Sequence, residues 1–278
     1  MSNNIQITHH YYTNEKAQFK ELDLYIPLNN NTISKSPLLV FIHGGAWRSE
    51  DKADHVPLAQ QLVAHGFPVA LINYRLSLYE EDNKDKKLPP KVQHPMHIQD
   101  AKEAIDFLIQ YGEKEACFNA SKIYLIGHSA GAHIAMMLTL DPEYNCCETN
   151  QKVLGVIGAQ GIYDIDLLSQ DYPDYDFVPQ AFGPDRSKYS IASPVTKKPM
   201  TKKIPAMLLV HSLDDTLINV GQANAMVNHL KDIANEKNDI KNNIIIELDK
   251  TSVKGDHYEM LYSKEFVDTI IHFVQKTQ

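Results

Sequence analysis

Short, nearly unbroken apolar runs recur along this chain with helical patterns between them, and that alternation restricts its fold more than any other feature. The runs are PLLVFIHGG from Pro37, FPVALINY from Phe67, KIYLIGHS from Lys122, VLGVIGAQG from Val153, AMLLVHS from Ala206 and NIIIELDK from Asn243. A strand with one wet face alternates apolar and polar residues. These runs do not, so they read as central parallel strands covered on both faces. FKELDLYIP, from Phe19, does alternate and reads as a half-solvated outer strand. Between the runs, apolar residues fall at helical spacing: Val56, Ala59, Leu62 and Val63, then Ile98, Ala101, Ile105 and Leu108, and last Val267, Ile270, Ile271 and Val274. Strand, helix and strand in turn imply an α/β fold, a doubly wound and mostly parallel sheet with right-handed crossovers.

A chain of 278 residues suits a single α/β domain spanning 1–278. At that length about three quarters of the unfolded surface can be buried, so neither disulfides nor a metal is needed to hold the fold. Two stretches break the rhythm. Leu76 to Pro90 is charged and ends in prolines, which predicts an exposed loop over about 77–93. The block from Ile162 to Pro205 is rich in Tyr, Asp and Pro. It is expected as a small cap insertion, about 162–205, over the carboxyl ends of the strands, where α/β sheets place ligands.

The formal charge is −8 with acids and bases intermixed. Without a basic stripe, nucleic acid and anionic membrane are poor partners, and a small molecule is the expected one. Cys117, Cys146 and Cys147 make no even framework and no CxxC, which suits a reducing compartment and argues against structural zinc. The start has no basic segment followed by an apolar run, and no stretch is long enough to span a bilayer. The expectation is a soluble cytoplasmic protein without metal or cofactor; a homodimer stays open.

The chemistry is carried by G-x-S-x-G: Gly127, His128, Ser129, Ala130 and Gly131. A strand turning sharply into a helix holds the serine in a strained conformation with its hydroxyl projecting, and the glycines make room for the crossing. The pattern alone arises by chance in about one chain in ten of this length. Here an apolar strand precedes it and AGAHIAMMLTL supplies a helix after it. The alternative is a small-residue turn that only packs strand on helix. HGGAW, His43 to Trp47, follows another strand. Its glycines let backbone amides approach a developing oxyanion. Gly45 and Ala46, with the amide of Ala130, are the expected donors; Gly44 shapes the turn, and His43 orients it.

A serine needs a base. Of 13 histidines, His9 and His10 read as part of a polar tail, and His65, His229 and His272 lie on or near helices. His128 and His133 are too close in sequence to face Ser129. His257, in the loop VKGDHYEML after the last strand, can reach it. In LLVHSLDDTLI the spacing favours Asp215 as the acid behind the base, with Asp214 solvated and Asp164 as the alternative one strand earlier. The order Ser129, Asp215, His257 is that of an α/β-hydrolase.

From about Phe19 onward the chain resembles the α/β-hydrolases. HGGAW, NYRL (Asn73 to Leu76) and GHSAG are similar to motifs shared by hormone-sensitive-lipase-like esterases and kynurenine formamidases. The block Gly161 to Asp185, SIASPV from Ser190, and HSLDDTL look more like the formamidases. That resemblance implies hydrolysis of N-formyl-L-kynurenine to kynurenine and formate, a step of tryptophan degradation. Under it, Trp47 would narrow the formyl side of the pocket, and Tyr163, Tyr172, Tyr175, Phe177 and Phe182 would supply an aromatic wall. Packing of the cap is the plainer role for any one of those rings. Arg75 and Arg186 are the candidates for a substrate carboxylate. The rivals are a carboxylesterase on short acyl esters and a non-catalytic binding protein on the same fold.

Overall fold

The computed structural model describes residues 4–14, 16–28, 32–83, 86–145, 151–200, 204–236 and 245–278. Cys146, Cys147, Asn243 and the stretch 201–203 of the expected cap lie outside them. Eight strands form one sheet in the order β1-β2-β4-β3-β5-β6-β7-β8. They are β1 (Ile5–Tyr11), β2 (Glu21–Pro27), β3 (Pro37–Ile42), β4 (Val69–Ile72), β5 (Asn119–His128), β6 (Val153–Ala159), β7 (Ala206–Val210) and β8 (Ile246–Asp249). β2 pairs antiparallel with β1 and β4, and every other neighbouring pair is parallel.

The apolar runs become strands because both faces are covered. In β3, Leu38, Val40 and Ile42 join one cluster, while Leu39 and Phe41 join the other. The first cluster receives α2 (Met96–Glu115), α3 (Ala130–Leu140) and a later helix over Gly221–Glu236. The second receives α1 (Val56–Ala64) and the terminal helix Lys264–Thr277. Ser263 caps the terminal helix, its side chain accepting from the Phe266 amide at 3.2 Å, which covers one of the unpaired first-turn donors.

The residues holding His9 and His10 are not a tail. They form β1, whose Ile5 to Tyr11 pair with Pro27 to Glu21. His9 Nδ1 lies 2.8 Å from Asp23 Oδ1, and the His10 ring packs 4.7 Å from Tyr111. β2 is therefore the second strand, and most of its side chains are buried.

β3 lies between β4 and β5, so consecutive connections leave it in opposite directions. That reversal opens a crevice at the carboxyl ends of β3 and β5. The segment between β6 and β7 carries short helices, Pro142–Asn145 having preceded β6, with Ile165–Asp171 and Phe177–Phe182 following it. Among the described residues no helix is long and apolar enough to cross a membrane.

Candidate active site

Ser129 stands directly after β5 and before α3, with φ 51° and ψ −115°. Such a conformation costs about 1–3 kcal/mol in a residue with a side chain, so its surroundings must impose it. The Ser129 amide donates to the Ala159 carbonyl of β6 at 2.9 Å, and its carbonyl accepts from Ala132 at 3.1 Å. A methyl group on Gly131 would collide with the Ile42 carbonyl, and one on Gly127 with the Gly131 carbonyl. The two glycines let α3 start against the ends of β3 and β5.

HGGAW follows β3, beside the elbow because Ile42 is in register with Gly127. Gly45, Ala46 and Trp47 all have positive φ, at 76°, 52° and 58°. The amides of Gly45, Ala46 and Ala130 donate to no group among the described residues. The Gly44 amide instead donates to Glu50 Oε2 at 3.2 Å, so Gly44 shapes the turn and leaves its neighbours as donors. Glu50 sits 2.9 Å from His55 Nε2. Burial opposes its ionisation, yet the hydrogen bond to His55 and the field of His128 hold it down to about 2.

NYRL is the scaffold of this turn. The Tyr74 hydroxyl donates to the carbonyls of Gly44 at 2.7 Å and His43 at 3.1 Å. Asn73 accepts from the Lys52 amide at 2.7 Å and donates to Asp51 at 2.6 Å. His43 stacks on Tyr74, centroids 4.4 Å apart, and its Nδ1 donates to the Gly44 carbonyl at 3.3 Å. Arg75 is taken by Asp100, with Nε and Nη2 each donating at 2.7 Å, and does not line the cavity at Ser129.

His257 is 2% exposed, and its Nδ1 lies 2.8 Å from Asp215 Oδ2. The other Asp215 oxygen accepts from the amides of Leu217 at 2.8 Å and Ile218 at 2.9 Å. Burial opposes the Asp215 charge, but the bond and field from His257 and those amides outweigh it and hold its pKa below the ordinary value. Asp214 faces elsewhere, accepting from the Gly255 amide at 3.2 Å. Asp256 accepts from the Thr216 amide at 3.1 Å and hydroxyl at 2.9 Å. The neighbours of Asp215 and His257 thus latch the two loops together. Asp164 caps helix Ile165–Asp171 by accepting from the Leu167 amide at 3.0 Å.

Ser129, Gly45, Ala46 and His257 line one cavity of about 290 Å³, walled by Tyr175, Phe177, Leu217, Ile218 and Tyr258. Arg48, Asp174 and Asp176 line it too, none of them evident from the sequence. Four of the residues expected around it, Trp47, Tyr163, Tyr172 and Phe182, do not line it. Trp47 is fully buried, its ring 5.2 Å from His133 and 4.8 Å from Phe182. Its positive φ turns the side chain into the core. Tyr163 is also fully buried, under Gly158 and Gly161. Tyr172 stacks behind Tyr175 at 4.7 Å and lines a neighbouring groove with Arg186. Among its described residues, the loop 77–93 does not line the cavity. Gln93 ties it to the Gln180 carbonyl at 2.8 Å.

A hydroxyl at a strained elbow, an imidazole backed by a carboxylate and free amides beside them form a set suited to acyl transfer. No group of histidines, cysteines and acids that could hold a metal occurs among the described residues.

Residues 22–230 match the BD-FAE family. A kynurenine formamidase of Meyerozyma guilliermondii is 31% identical over 211 residues, covering 69% of this chain and 71% of that protein. One from Aspergillus versicolor is 29% identical over 217 residues, covering 66% and 72%. Among solved structures, esterase B of Lactobacillus rhamnosis superposes with a TM-score of 0.76 at 18% identity, over 99% of this chain and 85% of that one. That likeness establishes the fold, an α/β-hydrolase, and the sequence relatives establish the lineage. The chain belongs to the BD-FAE family and to the kynurenine formamidases.

Proposed function

We propose that this protein is a serine hydrolase of aryl formamides that converts N-formyl-L-kynurenine to L-kynurenine and formate. The observation that carries the reading is the pair His257 Nδ1 and Asp215 Oδ2 at 2.8 Å, with His257 lining the same cavity as the elbow serine. The formamidase relatives favour a formamide over an ester as the substrate.

In this mechanism Ser129 Oγ attacks the formyl carbon while His257 Nε2 takes its proton. The oxygen of the tetrahedral intermediate rests on the amides of Gly45, Ala46 and Ala130, which stabilise charge that exists only along the reaction path. His257 returns the proton to the aryl nitrogen, the C–N bond breaks and the arylamine leaves. Water, deprotonated by His257, then attacks the formyl-serine, formate departs, and Ser129 regains its proton. Asp215 orients the imidazole and stabilises its charged form. Residues 162–205 act as the cap, contributing Tyr175 and Phe177 to the aryl wall. A cytoplasmic enzyme acting on a free small molecule is part of this reading.

The test compares N-formylkynurenine, followed by ultraviolet absorbance, with p-nitrophenyl acetate and butyrate. A higher kcat/KM on the formamide is expected. Preference for butyrate would make the protein a carboxylesterase, and unchanged hydrolysis after Ser129→Ala would remove the enzymatic reading.

A further inference from the structure

Arg48 supplies the guanidinium on the cavity wall, and it is held ready rather than loose. Its Nη1 donates to Asp176 Oδ1 at 2.7 Å and to Gln180 Oε1 at 2.9 Å, and its Cζ lies 5.6 Å from the centre of the Phe177 ring. Gln180 is itself buried, its amide nitrogen donating to the Ser77 carbonyl. A guanidinium carries N–H groups on all three nitrogens. Those on Nε and Nη2 have no partner among the described residues. Bracing on one edge and stacking on a ring fix the fork while leaving its other edge for a carboxylate.

Acids share this wall. Asp176 is engaged by Arg48, with Lys86 Nζ 3.8 Å away. Asp174 lines the same cavity and has no ion pair or hydrogen bond among the described residues. A plain anion would meet Arg48 and Asp174 together and gain from one what it lost to the other. A ligand bearing both charges would match both groups.

We infer that Arg48 and Asp174 form a clamp for an α-amino acid head group, Arg48 taking the carboxylate and Asp174 the ammonium, so that the site selects zwitterionic aryl formamides. This rests on the formamidase reading and names its substrate class. The clamp contacts a part of the substrate remote from the scissile bond, so it sets binding more than the chemical step.

The test measures kcat/KM for N-formyl-L-kynurenine and for 2-formamidoacetophenone, which keeps the aryl formamide and ketone but has no amino acid head. The wild-type protein should prefer the former by at least about tenfold. Arg48→Gln and Asp174→Asn should each shrink that ratio about tenfold, mainly through KM. Arg48→Lys keeps a cation for Asp176 without the fork, and should shrink it about threefold or more even if Arg48→Gln fails to fold. A wild-type protein that cleaves both formamides equally, or a ratio unmoved in the variants, overturns the clamp and leaves the formamidase standing. A wild-type protein that cleaves neither formamide overturns both.

Discussion

The ring of His128 lies 2.9 Å, through Nε2, from the backbone carbonyl of His257. The residue beside the elbow serine therefore does not face that serine; it tethers the loop bearing the candidate base. Burial, then the field of His257, push its pKa down to about 3, so the ring is neutral and Nε2–H is the donor. His257 is thus held by Asp215 at the ring, by Asp256 at its amide and by His128 at its carbonyl. His128→Ala leaves that carbonyl without a partner and opens a void. It should lower kcat/KM about tenfold and stability by about 2 kcal/mol. Kinetics on N-formylkynurenine alongside a urea melt would check both, and full activity would mean that the tether does not position the base.

The acid and nucleophile make a graded series. Ser129→Ala and His257→Ala should each cost at least about 10⁴ in kcat, and Asp215→Asn about 10²–10⁴, because the acid orients rather than reacts. Asp214→Asn removes only the charge behind a loop contact to Gly255 and should stay within about tenfold of wild type. Severe loss from Asp214→Asn with a mild Asp215→Asn would reverse the assignment of the neighbours.

Tyr74 supports the oxyanion turn from below through two carbonyls. Tyr74→Phe keeps the ring against His43 and removes only the hydroxyl. The amides of Gly45 and Ala46 would then be less firmly aimed at charge that develops in the transition state. The expected result is a fall of about tenfold in kcat with KM nearly unchanged. A rise in KM at constant kcat would place Tyr74 in substrate binding instead.

What the chain reveals in advance follows from how local each signal is. The strands β3 to β7 are legible because burial on two faces leaves apolar runs, and the elbow because its crossing demands glycines at Gly127 and Gly131. β1 is harder: Ile5 and Ile7 alternate with polar residues, but both faces are partly wet, and nothing in IQITHHY names its partner. Trp47 misleads because spacing gives no side-chain direction in a turn with successive positive φ values, and Tyr163 because its ring folds back under Gly158 and Gly161, glycines whose packing role the sequence does not show. Arg48 is invisible as a site residue since Asp176, which orients it, lies 128 positions away. Glu50 reads as one more charge in a polar stretch until His55 and the Gly44 amide close on it.

The buried histidines set the protein's tolerance of acid. Burial foremost drives His43 down to about 4 and His94, His97, His128 and His133 down to about 3. Each of these rings binds a proton more readily in the unfolded chain than in the fold. Their contribution is complete above the ordinary histidine value of 6.5 and drains as pH falls toward 3–4. Below 6.5 each lowers stability because the unfolded chain takes up a proton that the folded ring refuses, and together they erode a margin of only about 5–15 kcal/mol. Glu50, held at about 2 against an ordinary 4.5, contributes above 4.5 and loses its share only as pH falls from there toward 2. The histidines therefore act first. Near-ultraviolet circular dichroism should show cooperative unfolding centred about one to two units below 6.5. An unchanged spectrum down to pH ~3.5 would mean that these rings accept protons without leaving the fold, through hydration that neutral burial excludes.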